Sequence, residues 1–478
     1  MGFIRKWCQL KALDLTEAEN RLIDACYAGI DCKFSNGDLP SRCSNPPGDQ
    51  KIRASILRYL LLGGCEEKPL PICTINLSGA YITGTLHLDQ QKLKNPLVLS
   101  KCYMSGELSA IGAFIPALEA SKCVLSKMTL ERAVVRNDVC LDGTVFSERV
   151  CLSGARIKGQ LDCENAEFNS RKNFQGPGPN APPYAFDGQD MHVGHGFFWK
   201  HVSVPKGAVD ISLAHVGVLV DDYDSWPGEG RLRLNGFRYE GLANSPKDPR
   251  GRKKWLKEGS YWNGEFFPQP YTQLAKALRE LGHDADARIL LEERERLLKI
   301  EARKAMQVDT DPPSRNYVAA LLNDCLCGVH YLFADKLLQG LIGYGHQPFR
   351  SLIALLVLVA AAVLPAHYAY EAGDFAPNSA VIQTSLDWKE ELSSSNPAKT
   401  WSDVSQAGQD WETFSPIAYG IDVVVPIINF GQTEAWAPST TRGRWGRILW
   451  WLKWLLSTAG WIVTALGAAA ITGLIRRD

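Results

Sequence analysis

Residues 79–88 read GAYITGTLHL, and further along the chain residues 154–163 read GARIKGQLDC. Each phrase has a small residue, an apolar residue two places on, and a second apolar pair opening four places later. Carried along the chain, the template places small residues at Ala80, Cys102, Ala113, Cys123, Ala133, Thr144, Ala155 and Ala166. It places larger ones at Leu86, Leu97, Leu108, Leu118, Met128, Val139, Val150 and Leu161. One stride between Ala80 and Cys102 lacks a clear member; otherwise the interval within each series is nearly constant, as from Leu86 to Leu97 to Leu108, and slips by a single position only twice. A further apolar residue follows each member at the second position. An amphipathic helix returns its apolar face every three to four residues, and a hairpin meander does not hold so fixed a period. One stride cannot bury its own apolar pair, whereas stacked coils can, so the spacing predicts a β-solenoid of alternating 5- and 6-residue strides. Four strides make a coil of ~22 residues, in the manner of a right-handed pentapeptide-type helix. Cys102 and Cys123 then serve as small hydrophobes inside the stack.

The pattern predicts a solenoid over 72–242, with insertions near 169–185 and 221–230. The helical stretches TEAENRLIDACY (16–27) and IRASILRYLLLGG (52–64) lie within an N-terminal cap, 1–71. A basic linker, 243–269, follows, with Lys247, Arg250, Arg252, Lys253, Lys254 and Lys257 among Trp255 and Trp262. Residues 270–348 read as a helical hairpin about Gly282 and then an amphipathic juxtamembrane helix carrying Asp324, Asp335 and Lys336.

The remainder, 349–478, reads as a membrane domain. SLIALLVLVAAAVLPAHYAY (351–370) and WLLSTAGWIVTALGAAAITGL (454–474) are uncharged and long enough to span a hydrocarbon core. The second is flanked by Trp445, Trp450, Trp451 and Trp454, an interfacial belt, and by Arg476 and Arg477. Two spans return the chain to its starting side, which places both termini in the cytoplasm of a bacterial inner membrane. The outer loop, 371–446, contains a short apolar dip at 416–431. Asp422, Pro426 and Asn429 there are candidates for a pore-lining or membrane-functional role, because a carboxylate at membrane depth needs a partner or water. The same segment equally reads as an interfacial hairpin over the outer face of the spans.

The charge balance is 52 basic against 52 acidic residues, which gives no reason to expect nucleic acid or a DNA-mimicking surface. All 13 cysteines precede residue 328, none forms a paired C-x2-C unit, and no secretory leader pattern opens the chain. Free thiols in a reducing compartment are the expectation. No G-x-G-x-x-G, phosphate-binding loop or H-E-x-x-H is present, so no cofactor, bound metal or catalytic residue is expected. The histidine cluster His192, His195, His201 and His215, with Asp221, Asp222 and Asp224 near it in sequence, supplies the candidate metal ligands, His192 and His195 foremost.

Beyond the repeat, the chain resembles an uncharacterised bacterial group of membrane-associated, pentapeptide-repeat-like β-helix proteins, sometimes labelled oxidoreductases. The phrases that carry the resemblance are RASILRYLLLGG with NLSGAYITGTLHL, VDDYDSWPGEGRLRLNGFRYEGL, PQPYTQLAKALRELGHDADARILL, GYGHQPFRSL and YGIDVVVPIINFGQTEAW, from about residue 52 onward. The resemblance implies fold and membrane association and no established activity. Three functions follow as expectations. The first is a membrane-anchored cytosolic solenoid that binds or senses a protein partner on its surface. The second is a homo-oligomeric, pore-loop-like channel gated by the cytosolic part. The third is an oxidoreductase or other enzyme, which no motif supports.

Overall fold

A computed structural model describes residues 9–10, 13–34, 38–41, 47–170, 183–228, 230–308 and 349–472. The chain forms two compact units, Met1–Ala305 and Met306–Asp478.

The first unit is a parallel β-solenoid closed at both ends by helices. One coil consists of strands Leu97–Ser100, Tyr103–Met104, Leu108–Ser109 and Phe114–Ile115, and the next begins at Leu118. On the first face the register runs Ile75 to Leu97, Leu118, Val139 and Leu161, so the coil length stays almost constant. The third face stacks seven strands, so the solenoid has about seven turns. The four faces make three sheets of 12, 6 and 7 strands. The reason is the longer strand His192–Trp199, which pairs with Arg156–Ile157 of the fourth face and Leu161–Asp162 of the first.

Every residue of the sequence template, and each apolar residue two places after it, is 3% exposed or less. Like residues lie above one another, so each inward side chain is covered by its counterpart in the next coil. At one corner the stack is also polar. The Cys102 amide donates to Cys123 Sγ at 3.3 Å, and the Cys123 amide donates to Thr144 Oγ1 at 3.2 Å. The thiol of Cys123 and the hydroxyl of Thr144 donate back to the carbonyls of Leu99 and Ala120. Small side chains with a donor and an acceptor thus satisfy corner backbone groups that the strands leave unpaired.

Further along, the interior becomes aromatic. The rings of Phe146, Phe168, Trp199 and Trp226 are stacked at centroid separations of 5.5, 5.1 and 5.2 Å, and Trp255 closes the column at 5.9 Å, tilted by 53°. The second-face sheet ends before this point. Stretch 221–230, expected as an outward insertion, instead takes the place of a second-face strand and delivers Trp226, 6% exposed, into the core. The step across it, from Val209 to its register partner Leu232, is close to an ordinary coil. Most of the other expected insertion, 171–182, lies outside the described residues.

Both ends are capped. Helix Glu17–Ala28 carries a capping box between Thr16 and Glu19. The fully buried Glu19 carboxylate also receives the Arg53 amide at 2.9 Å and its guanidinium at 2.6 and 2.8 Å. At the other end, the expected linker 243–269 contains helix Pro249–Gly259. Asp248 caps it, Pro249 presets its first turn, and the i, i+3, i+4 set Arg252, Trp255 and Leu256 is buried against the last coil. Helix Gln269–Glu280 lies on the final strand Arg238–Leu242 and belongs to the cap. Its Gln269 and Gln273 side-chain amides donate to the carbonyls of Phe237 and Tyr239, standing in for the missing next coil. Helix Asp284–Val308 completes the hairpin. The expected juxtamembrane helix lies outside the described residues.

In the second unit, helices Phe349–Glu371 and Arg444–Ile471 are 23 and 28 residues long and apolar enough to cross a membrane. Only 17% and 28% of their most apolar windows is buried, unlike the core helices of a soluble protein. The second helix begins at Arg444, ahead of the expected span, because the Asp374 carboxylate accepts the Gly446 amide at 2.8 Å and caps its start. Helix Pro416–Val424 packs on both helices, and so closely that a Cβ on Gly460 would collide with the Val424 carbonyl. Trp388, Trp401, Tyr419 and Trp436 form the aromatic core of the intervening segment, pinned by the antiparallel pair Phe375–Pro377 and Trp436–Pro438.

Thr144→Val removes the hydroxyl that receives the Cys123 amide, and should cost about 1–3 kcal/mol in chemical denaturation of the full chain. Thr144→Cys reproduces the neighbouring corners and should cost less than about 1 kcal/mol. Equal costs would contradict the polar stacking.

Candidate functional site

The residues that turn outward decide what the solenoid can touch. On the fourth face the outward column runs Lys92, Phe114, Val134, Arg156, His192, His215 and Arg238, one residue per coil. At its N-terminal end a groove of about 1050 Å³ opens beside this column. Its apolar lining is Ile72, Leu93, Pro96, Phe114, Ile115, Pro116 and Val134, and Lys92, Lys94, Arg136, Asn137 and Lys158 complete it. Ile72 and Phe114 are 86% and 55% exposed, an unusual state for large apolar side chains that line one groove. No carboxylate lines the groove, and its four cations have no ion-pair partner among the described residues. Elsewhere on the stack several surface cations do meet a carboxylate, as in Lys127–Glu107 at 3.1 Å and Lys206–Glu167 at 3.0 Å. The template follows inward residues and therefore missed this site; the signal was the recurrence of Lys, Arg and Phe at outward positions of successive coils.

The histidines are placed differently from the sequence expectation. His192 pairs with His215 of the next coil, Nδ1 to Nδ1 at 3.3 Å, while His195 lies further along the same strand, within the register shift between Val193 and Gly196. Among the described residues no group of three or more metal-ligating side chains comes together. Arg156 and Arg238 flank the histidine pair in the column, and two cations are poor neighbours for a metal ion.

The Asp422 carboxylate receives the amides of Phe430 and Gln432 at 2.6 and 2.7 Å, closing the loop after helix Pro416–Val424. Asn429 accepts from the Gly431 amide at 2.7 Å and donates to Glu434 at 2.9 Å. Pro426 opens a tip on which Ile427, Ile428 and Phe430 are exposed. Asp422 is thus committed to backbone amides within its own loop.

A buried polar cluster lies in the C-terminal cap. Arg252 and Asp221, each essentially unexposed, form a bidentate pair at 2.6 and 2.7 Å, and Trp226 Nε1 donates to the same carboxylate at 2.9 Å. The guanidinium also sits 5.0 Å from the Trp255 ring. The chemistry of the cluster is that of a latch joining the aromatic column to the cap helix.

The nine described cysteines are free. Burial, with the neighbouring thiols of Cys73 and Cys32, pushes the Cys26 thiol up to about 12, and burial raises the Cys163 thiol well above its ordinary value. Cys65 alone combines partial exposure with a lowered value, because the Tyr59 hydroxyl donates to its sulfur at 3.4 Å.

No family model, curated protein or solved structure matches the chain. Its functional reading therefore rests on its own geometry.

Two results are expected. Arg252→Met leaves Asp221 buried without its counter-ion and should destabilise the solenoid by about 3–5 kcal/mol, measured by denaturant unfolding. In timed alkylation of the native protein at mildly alkaline pH, mass spectrometry should find Cys65 modified before Cys26 and Cys163; the reverse order would contradict the Tyr59 contact.

Proposed function

We propose that the protein is a membrane-anchored scaffold whose cytosolic β-solenoid binds a partner on its outer surface, with the groove beside Phe114 as the main contact. The observation that carries this reading is the coincidence of exposed large apolar side chains with four uncompensated cations in one concavity. A solvated structural face has no use for either. Coils that stack like residues on one another also give a rigid, extended platform, the usual use of a repeat fold.

The same proposal takes the coil to be a right-handed pentapeptide-type helix with 5- and 6-residue strides, akin to the membrane-associated group it resembles. The near-constant coil length supports that reading. The two long, poorly covered apolar helices support anchorage in a bacterial inner membrane, and free thiols support a cytoplasmic side for the solenoid and both termini. The channel alternative has less behind it. Asp422 is saturated by amides, and exposed Ile427, Ile428 and Phe430 suit a tip resting in the interface.

Benzoylphenylalanine placed at Phe114 in the full-length protein, irradiated in native membranes, should yield one dominant adduct, whereas the probe at exposed Asn165, on another part of the coil, should yield none. Absence of any adduct at 114, or equal labelling at both positions, would overturn the scaffold reading.

A further inference from the structure

We infer that the groove takes an anionic amphiphile, an alkyl chain bearing a carboxylate or phosphate head; this rests on the scaffold reading and names what occupies its site. The walls divide by chemistry. Phe114, Val134, Ile72 and the two prolines supply the exposed and half-buried apolar lining of a trough, over the buried Leu93 and Ile115. Lys92 and Lys94 belong to one coil, and Arg136 and Lys158 to later coils, so cations stand along the rim with no competing carboxylate. From Lys92 to Arg156 the outward column crosses three inter-coil steps of roughly 4.8 Å each, so the trough is elongated along the solenoid axis. An alkyl chain fills such a shape, and a guanidinium beside an ammonium suits a carboxylate or phosphate.

The main chain argues against an extended acidic peptide. The amides of Leu93, Phe114, Val134, Arg136, Asn137 and Lys158 all donate to carbonyls of adjacent coils, and the other wall positions include Pro96 and Pro116, which have no N–H. A peptide laid here would find no free strand edge and would leave its own backbone groups without main-chain partners. An alkyl chain makes no such demand. Its length and volume are also compatible with the size of the groove, about 1050 Å³.

The ligand can come from two sources, a soluble amphiphile or a lipid of the bilayer, and the test separates them. Full-length protein in phosphatidylcholine nanodiscs is titrated with dodecyl phosphate. Saturable binding is expected, weakened about tenfold or more by Arg136→Glu with Lys158→Glu and by Phe114→Ser. Inorganic phosphate alone and neutral dodecyl maltoside should not bind. In a second arm, benzoylphenylalanine at 114 is irradiated in phosphatidylglycerol nanodiscs, and a lipid adduct there assigns the bilayer as the source. All three substituted residues are exposed or line the open groove, so thermal unfolding of each variant should match that of the parent protein; Lys92→Glu with Lys94→Glu provides a second, independent disruption. No saturable binding and no lipid adduct, or binding indifferent to every variant, overturns the inference. A protein adduct at 114 in native membranes without amphiphile binding overturns it too, and leaves the scaffold reading standing. No adduct of any kind together with no saturable amphiphile binding defeats both.

Discussion

A coil of this solenoid cannot bury its own apolar side chains, so each coil exists only because the next one covers it. That dependence explains the sequence period, the vertical registry of Leu on Leu and Ala on Cys, and the small hydrogen-bonding residues at the Cys102–Cys123–Thr144 corner. It also creates two faces that nothing covers. The N-terminal one is closed by helices tied through Glu19 and Arg53. The C-terminal one is closed by tryptophans that replace a strand, by the Asp221–Arg252 pair, and by glutamine amides that occupy the last carbonyls. A buried ion pair contributes little net stability against an apolar substitute of the same shape. It does fix which residues meet, and at the end of a stack that registration decides whether the column terminates or frays.

The same constraint leaves the outward positions free. Inward residues are dictated by packing, whereas outward ones meet water in any case, so a departure from ordinary surface chemistry there has a cause other than folding. The groove beside Phe114 is such a departure, apolar where the surface should be polar and cationic without compensation. Asp422 teaches the converse. Its position in an apolar segment drew attention to it, and three loop amides supply the partners that a carboxylate in such surroundings requires.

The architecture was legible because inward packing writes a period into the chain. Every template position from Ala80 to Phe168 is buried, and both span-length helices were visible as uncharged runs. Legibility failed where the period did. Residues 221–230 looked like an insertion because a Trp-plugged stretch has no strand alternation, and 249–259 looked like a linker because five of its residues are basic and one of those, Arg252, is buried through its pair with Asp221. Within the histidine cluster, sequence spacing did not say which rings would meet. His195 is near His192 in sequence, but coil stacking brings the distant His215 to the His192 ring. The groove was hidden for a related reason: Lys92, Phe114 and Arg136 come together only when successive coils are stacked.

A density map of the full-length protein purified with its native lipids, from electron microscopy of particles in nanodiscs, would test the groove assignment most directly. The account predicts elongated, unbranched density lying along Phe114 and Val134 with its head at the rim cations. A water-filled groove, with an ordered partner bound on another face of the solenoid, would contradict it.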